Sequence, residues 1–351
     1  MAAQTRQADV RLLVNDQSTD NTADMATQAG WTVVDTAPGR NGLAAGRNVA
    51  ASFAKEAGCD VLAGIDADAV PATDYMETLH RVFATNRNLA GVCGNMRERH
   101  TQTASDQWRA VYMAQHYGDA SRANPPILYG SSAAHRLEAV FAVGGFNEAL
   151  RTNYEDTDLT QRLLAAGHSL AYVPELRLEH LKQDTPDTVL RMFWQWYFPP
   201  ADLSGFFGSG QAWLINRLPW IWSDYRRRAR HDAAHPRLTL ITCALPWVQV
   251  VRDLALLASR LNTPANFTPV LGLAVAVHRD CGFPEPLVAW LTDRIRYALH
   301  QAQATQGDLI NPAILSAIRD ASLESVPRRA FWPALDESWS DLECSLAVAS
   351  S

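Results

Sequence analysis

The stretch VLAGIDADAVP, residues 61–71, decides the fold, because an apolar run ends here in two carboxylates separated by one residue. Residues 61–65 have the continuous apolar character of a strand buried on both faces of a sheet. Asp66 and Asp68 follow at its carboxyl end, where open α/β sheets bind their ligands. Residues two apart in an extended chain lie on one side, so burying this pair requires a cation. The alternative interpretation is that the two acids only cap a turn before Pro71.

Apolar runs of this kind alternate with helical patterns through the first 180 residues. The other predicted strands are residues 10–14, 32–35 and 89–95, and the predicted helices are residues 19–29, 43–57 and 74–84. Gly30 and Gly58 stand just past two of these helices, where glycine is the usual stop signal. The pattern predicts an α/β domain over residues 1–200, with a mostly parallel, Rossmann-like sheet flanked by helices.

Composition excludes several classes of protein. The chain has 351 residues, 47% of them hydrophobic, and a net charge of −6, which supports a packed core and argues against nucleic acid as a partner. Five widely spaced cysteines without a C-x-x-C pair indicate a reducing compartment. The N-terminus shows no signal peptide, so we expect a cytoplasmic protein without a membrane span.

A mainly helical C-terminal extension is predicted over residues 201–351, including helices at residues 286–304 and 311–323. Aromatic and basic residues are mixed through its first part. This mixture is compatible with helices packing on the α/β domain, and also with peripheral contact to the inner face of a membrane through residues 206–258.

Three short motifs together provide the chemistry. Oxygen ligands such as Asp66 and Asp68 suit Mg²⁺ or Mn²⁺, ions that share substrate phosphates. Asp16 ends the first predicted strand, where it is either a turn residue or an acceptor for a nucleobase N–H. The glycine-rich segment GRNGLAAGRN, residues 39–48, brings Arg40 and Arg47 to the same strand ends, and arginine suits diphosphate.

In this order the motifs resemble the donor half of a GT-A glycosyltransferase of family 2. The family stretch V-D-D-G-S-T-D-x-T is VNDQSTDNT at residues 14–22, and N-x-G-x-x-x-A-R-N is RNGLAAGRN at residues 40–48. The acceptor half also resembles the family. Its G-G-F-D-E stretch is GGFNE at residues 144–148, and its E-D-x-D-L-x-x-R-L-x-x-A-G segment begins at Glu155.

The resemblance implies an inverting transfer of a single sugar from a nucleotide-sugar, a UDP-sugar first among the candidates, to a glycan, lipid-linked or other hydroxyl acceptor. It assigns donor binding to Asp16, Arg47 and Asp66, and the metal to Asp68. Asp156 becomes the base that deprotonates the acceptor hydroxyl.

Three further residues receive roles on the acceptor side, namely Glu155, Trp194 and Trp196. For Glu155 a simple interaction with the helix dipole, and for the tryptophans core packing, are the alternatives. His180 follows the YVPE stretch at residues 172–175. It is either a packed core histidine or a second metal ligand.

Two features depart from the family. Its first apolar strand, with P-x-Y-N and a helix, is not seen upstream of residue 9, and that strand would pair centrally and line the nucleobase pocket. The Q-x-x-R-W motif is also absent, which argues against a processive polysaccharide synthase. The alternatives are therefore a non-catalytic remnant that binds a membrane or partner protein, and a sugar nucleotidyltransferase, although the glycine-rich basic loop of the latter is missing after the first strand.

Overall fold

The computed structural model describes residues 3–197, 212–261, 267–301 and 312–325. These residues form two compact units. The first comprises the chain up to His100 together with Tyr112–Lys182, and the second comprises Thr101–Val111 and the described residues from Gln183 onward. The division thus falls before the predicted boundary at residue 200, and a short upstream segment belongs with the C-terminal helices.

The first unit contains eight strands and five helices within the described residues. The strands are β1 (Leu12–Asn15), β2 (Thr32–Asp35), β3 (Val61–Ala63), β4 (Ala69–Pro71), β5 (Leu89–Glu98), β6 (Arg122–Ala123), β7 (Ala133–Arg136) and β8 (Ser169–His180). The helices are α1 (Thr22–Gln28), α2 (Leu43–Glu56), α3 (Tyr75–Thr85), α5 (Leu137–Ala142) and α6 (Glu155–Ala165), while α4 (Ala104–Tyr112) lies almost wholly in the second unit.

The α/β class is confirmed, with a central sheet flanked by helices, but the sheet is more mixed than the apolar runs indicate. Its strand order is β3-β7-β5-β8-β4, with β6 paired to β8. Only β5 and β8 run parallel in it, and the other pairs are antiparallel. An apolar run does not report the direction of the neighbouring strand. The prediction that residues 61–65 form a strand buried on both faces is also wrong, because β3 is a half-buried strand at one edge of the sheet.

Strands β1 and β2 form a separate parallel pair, in which Leu12 faces Thr32 and Asn15 faces Asp35. Among the described residues, no ladder of hydrogen bonds joins β1 to β3. Helix α2 packs against β1 and β3. Its buried face is made of alanines, which allow a close approach: Ala44, Ala45, Ala51 and Ala54. In the part of the chain that the structure describes, β1 and β2 thus form a sheet of their own, separate from the sheet that contains β3.

Strand β5 is the centre of the core and extends to Glu98, three residues beyond its predicted end. It shifts register against β8 between Cys93 and Asn95. Gly94 lies at this shift, and a Cβ there would come within 2.3 Å of the Leu176 carbonyl oxygen, so only glycine permits this close approach. After the shift, Glu98 pairs directly with His180.

The second unit is helical. Its helices are α7 (Pro186–Tyr197), α8 (Leu218–Asp232), α9 (Pro236–Arg260), α10 (Thr268–Asp280), α11 (Glu285–Gln301) and α12 (Pro312–Leu323), and a wide π-helical turn at Trp213–Arg217 leads into α8. The two helices predicted at residues 286–304 and 311–323 correspond to α11 and α12, except for residues 302–304 and 311, which lie outside the described residues.

One helix among the described residues, Arg237–Arg260, is long and apolar enough to cross a membrane by length and composition, and 89% of its apolar window is buried inside the protein. A helix at the centre of a helical bundle meets the same criteria. The absence of a membrane span therefore stays a prediction.

Candidate active site

The Asp66–Asp68 pair occupies the short turn between β3 and β4. The Asp66 N–H donates to the Ser131 carbonyl oxygen at 3.3 Å, and the Asp68 carbonyl oxygen accepts from the Leu181 N–H at 2.8 Å. The turn is thus tied to the segment before β7 on one side and to the end of β8 on the other. These backbone bonds fix the turn that carries both carboxylates.

His180 lies at the end of β8, opposite Ala69 of β4 and Glu98 of β5. Its Nε2 is 3.4 Å from Asp68 Oδ2, and its Nδ1 is 2.9 Å and 3.0 Å from the two Glu98 carboxylate oxygens. Burial opposes a charged imidazole, but the hydrogen bonds to Asp68 and Glu98 outweigh it and raise the pKa of His180 to about 9. The hydrogen bond with His180 in turn lowers the pKa of Asp68.

Glu98 is a residue that the sequence prediction missed. The predicted strand stops at residue 95, and the partner of this carboxylate is 82 residues away. Its side chain is only 6% exposed, so the buried charge is neutralised chiefly through His180. Bound from the Nδ1 side, the imidazole turns Nε2 toward Asp68.

The donor set of Asp68 and His180 fits a divalent ion that is completed by substrate. Two ligands of one octahedral Mg²⁺ lie about 3 Å apart, close to the separation of Asp68 and His180. Within the described residues there is no group of three or more His, Cys, Asp and Glu side chains that could hold a metal by itself. The remaining positions would fall to water and to substrate oxygens, as is usual for Mg²⁺.

Arg47 provides the positive charge of this acidic site. It lies on α2, and its Nη1 contacts Glu155 Oε1 at 2.5 Å. Burial raises the pKa of Asp66, and Asp68 and Asp156 raise it further, while Arg47 opposes this rise. Arg47 therefore lies close to the D-x-D turn, as expected of a group that binds a diphosphate.

Glu155 is a buried ion-pair partner rather than an open surface group. Its side chain is 3% exposed, and burial raises its pKa although Arg47 opposes the shift. The second oxygen, Oε2, is buried and has no hydrogen-bond partner among the described residues. Contact with an acceptor, as predicted for Glu155, would require this side chain to become accessible, and that role stays a prediction.

Asp156 is fixed in the first turn of α6. Its Oδ2 accepts from the Gly130 N–H at 3.0 Å, and its Oδ1 accepts from the Thr157 N–H at 2.6 Å. The residue is half-buried and close enough to Asp66 to raise the pKa of that carboxyl. The Thr157 hydroxyl also donates to Oδ1 at 3.3 Å, so these three donors orient the carboxylate.

Asp16 is exposed at the end of β1 and is tied to the glycine-rich segment. Its two oxygens accept from the Thr36 hydroxyl at 2.8 Å and from the Gly42 N–H at 2.9 Å. Gly42 has a φ of 107°, in the region that favours glycine. The same segment then enters α2, which carries Arg47, so Asp16 and Arg47 are joined through one short stretch of backbone.

Arg40, which the sequence placed beside Arg47 at the strand ends, instead binds Glu148 through two hydrogen bonds of 2.8 Å and 2.5 Å. Hydrogen bonds from Arg40 and Asn48 lower the pKa of Glu148 to about 2. This pair fastens the glycine-rich segment to the loop before α6. Arg40 therefore has a structural partner of its own.

Trp194 and Trp196 belong to the second unit. The Trp194 Nε1 donates to Asp253 at 2.7 Å, and the guanidinium of Arg109 lies 5.9 Å from the Trp196 ring centre. Their acceptor-side role stays a prediction.

Comparison with known proteins finds one family and one relative that match parts of this chain. Residues 1–140 match the family described as Glycosyl transferase family 2. The O-antigen chain rhamnosyltransferase WbaN of Salmonella anatum is 24% identical over 231 residues, which are 63% of this chain and 67% of that protein.

Similarity to solved structures is weaker. A crystal structure of GalNAc-T7 with UDP, GalNAc and Mn²⁺ is 17% identical, with a TM-score of 0.38 over 55% of this chain and 43% of that one. The crystal structure of S. aureus TarS is 13% identical, with a TM-score of 0.39 over 86% of this chain and 50% of that one. The chain thus spans half or less of the length of these two proteins.

Proposed function

Because residues 1–140 match glycosyltransferase family 2, we propose that the protein transfers a single sugar from a nucleotide-sugar to an acceptor hydroxyl with inversion. One observation carries the proposal: Asp66, Asp68, His180, Arg47 and Asp156 converge within the first unit, although they come from distant parts of the sequence. The name of the Salmonella relative supports a glycan of the cell envelope as the acceptor. A cytoplasmic location is part of the proposal.

Each residue has a task that its position supports. Asp68 and His180 would hold a divalent ion, which when bound supplies charge stabilisation to a diphosphate leaving group. Arg47 binds the diphosphate, and Asp66 and Asp16 bind the donor nucleoside. Asp156, held by the Gly130 and Thr157 N–H groups, accepts the proton of the attacking hydroxyl. Transfer in one displacement inverts the anomeric carbon.

A panel of UDP-, GDP- and dTDP-sugars, each with Mn²⁺, Mg²⁺ or EDTA, tests the proposal through nucleotide release, with and without cell-envelope glycan. We expect release from one donor class, abolished by EDTA and by Asp156→Asn. NMR of the product then reports the anomeric configuration. Folded protein that releases nucleotide from no donor, with any metal or acceptor, would contradict the proposal.

A second candidate is a non-catalytic remnant that binds a membrane or partner protein, and the separation of β1 and β2 from the sheet that contains β3 favours it. The two candidates differ in one measurement. A folded remnant would release nucleotide from no donor, whereas the transferase releases it in a metal-dependent way.

A further inference from the structure

Within the described residues of the second unit, the segment from Ile215 to His231 has one exposed face. The exposed residues of this face are Ile215, Asn216, Pro219, Trp220, Ser223, Arg227 and Arg230. Spacings of three and four residues place them on one side of the helical segment. The opposite side packs against α9 and α12.

Some aromatic and basic residues of this region are buried, and others are exposed. Trp213 and Trp222 are buried, and Arg217 and Arg228 are almost fully buried as well. Ile215 is 64% exposed and Trp220 is 38% exposed. Membrane contact was predicted for residues 206–258, of which residues 206–211 lie outside the described residues. Most of the described aromatic residues in this range are buried in the core, so the exposed face is much smaller than predicted.

Charge on this face has one sign. Both acids of α8, Asp224 and Asp232, are buried, where Asp224 binds Arg228 at 2.8 Å and Asp232 accepts from the Thr242 hydroxyl at 2.5 Å. Arg227 contacts Asp224 too, but its side chain remains 67% exposed. The exposed face therefore carries arginines and no exposed carboxylate between Ile215 and His231.

The apolar and basic groups are also separated along the helix. Ile215, Pro219 and Trp220 lie at the start of the face, and Arg227 and Arg230 lie at its end, about 15 Å further along. The protein as a whole carries a net charge of −6. Distant acids do not cancel the patch, because charges separated by more than about 8 Å are screened at physiological ionic strength.

We propose that this face docks on the surface of an anionic phospholipid bilayer. Tryptophan and isoleucine enter the boundary between headgroups and acyl chains, and the arginines contact lipid phosphates. A flat acidic surface with an apolar layer just beneath it matches both halves of the face, whereas an acidic protein surface matches only the arginines. The inference is independent of the proposed function, since it concerns the second unit alone.

Co-sedimentation of the full chain with vesicles tests this proposal. We compare vesicles of phosphatidylcholine alone with vesicles containing about 30% phosphatidylglycerol. The protein is expected to bind the anionic vesicles, and to dissociate as NaCl is raised from 0.05 M to 0.5 M. Arg227→Gln with Arg230→Gln should weaken binding about 25-fold, because each arginine contributes about fivefold. Ile215→Ser with Trp220→Ser should weaken it about tenfold.

The matched control is Arg296→Gln with Arg319→Gln, two exposed arginines of α11 and α12 whose loss changes the net charge equally. Binding of this control should stay within about twofold of the unaltered protein, and circular dichroism verifies that all variants fold. Equal losses in control and test variants, or equal binding to neutral and anionic vesicles, would overturn the proposal. No vesicle binding, together with salt-sensitive binding to polyglutamate, would assign the face to an acidic protein instead.

Discussion

Replacing Glu98 with glutamine removes a negative charge behind the His180 imidazole while keeping the side-chain shape. In the unaltered protein both carboxylate oxygens lie within 3.0 Å of His180 Nδ1. A glutamine can offer one amide oxygen to the same N–H, so the ring can keep its orientation. The variant therefore separates the charge of Glu98 from its volume.

The expected magnitude has two opposing parts. Loss of a carboxylate behind a ligating histidine costs about 10- to 100-fold in metal affinity. Against this, the pKa of about 9 for His180 in the metal-free protein means that a proton competes with the metal. The competition weakens metal binding about 100-fold at pH 7 and only about twofold at pH 9. Glu98→Gln lowers this pKa toward its ordinary value and so relieves competition chiefly at pH 7.

We therefore expect Glu98→Gln to bind Mg²⁺ about 10- to 100-fold more weakly at pH 9, and we expect the deficit to narrow at pH 7. Calorimetry with Mg²⁺ and the nucleoside diphosphate identified by the donor panel measures both values. Glu179→Gln is the matched control, because Glu179 neighbours His180 on β8 but is 59% exposed and contacts Arg99. Unchanged affinity at pH 9, or a deficit of the same size at both pH values, would refute the positioning role of Glu98.

Three further predictions address the remaining parts of the first unit. Asp156→Asn should lower the turnover number about 10²- to 10⁴-fold with donor binding retained, measured by nucleotide release and calorimetry; wild-type turnover would contradict its role as base. Gly130→Ala places a Cβ 2.2 Å from Arg47 Nη2, so the guanidinium must move and the donor KM should rise about tenfold. Gly272→Ala is the control, because its added Cβ meets no neighbouring atom within 4 Å and should leave the donor KM unchanged. Glu148 has a folded-state pKa of about 2 against an ordinary 4.5, so its ion pair stabilises the protein above about pH 4.5 and this contribution is lost as the pH falls through about 2. Thermal unfolding should show Glu148→Gln less stable by about 1 kcal/mol at pH 7, after allowance for solvent screening, with the difference shrinking toward pH 3; a constant difference would exclude the ion pair as its cause.

Local sequence signals predicted several elements well. Strand β2 was predicted at its observed bounds, and helix α2 begins at Leu43 as predicted and ends just before Gly58. In β8, Leu176, Leu178 and His180 are buried and alternate with exposed residues, which is the two-residue period of a strand with one covered face. These features depend on residues a few positions apart, so propensity, capping and periodicity are sufficient to reveal them.

Contacts between residues far apart in the sequence were not predicted. Arg47 was predicted to bind the donor, but its ion pair with Glu155 crosses 108 positions and depends on how α2 and α6 are placed. The apolar runs also did not indicate strand direction, because burial of both faces is compatible with parallel and with antiparallel neighbours. In the second unit, composition showed a mixture of tryptophan and arginine but did not show which of them point inward.

The sequence by itself determined that a strand of an α/β domain is followed by Asp66 and Asp68, because the apolar run and the two-residue spacing are features of neighbouring residues. Only the tertiary structure decided that His180 faces Asp68 on one side and Glu98 on the other. That arrangement depends on a register shift at Gly94, which is set by the packing of β5 against β8 and not by the residues around either partner.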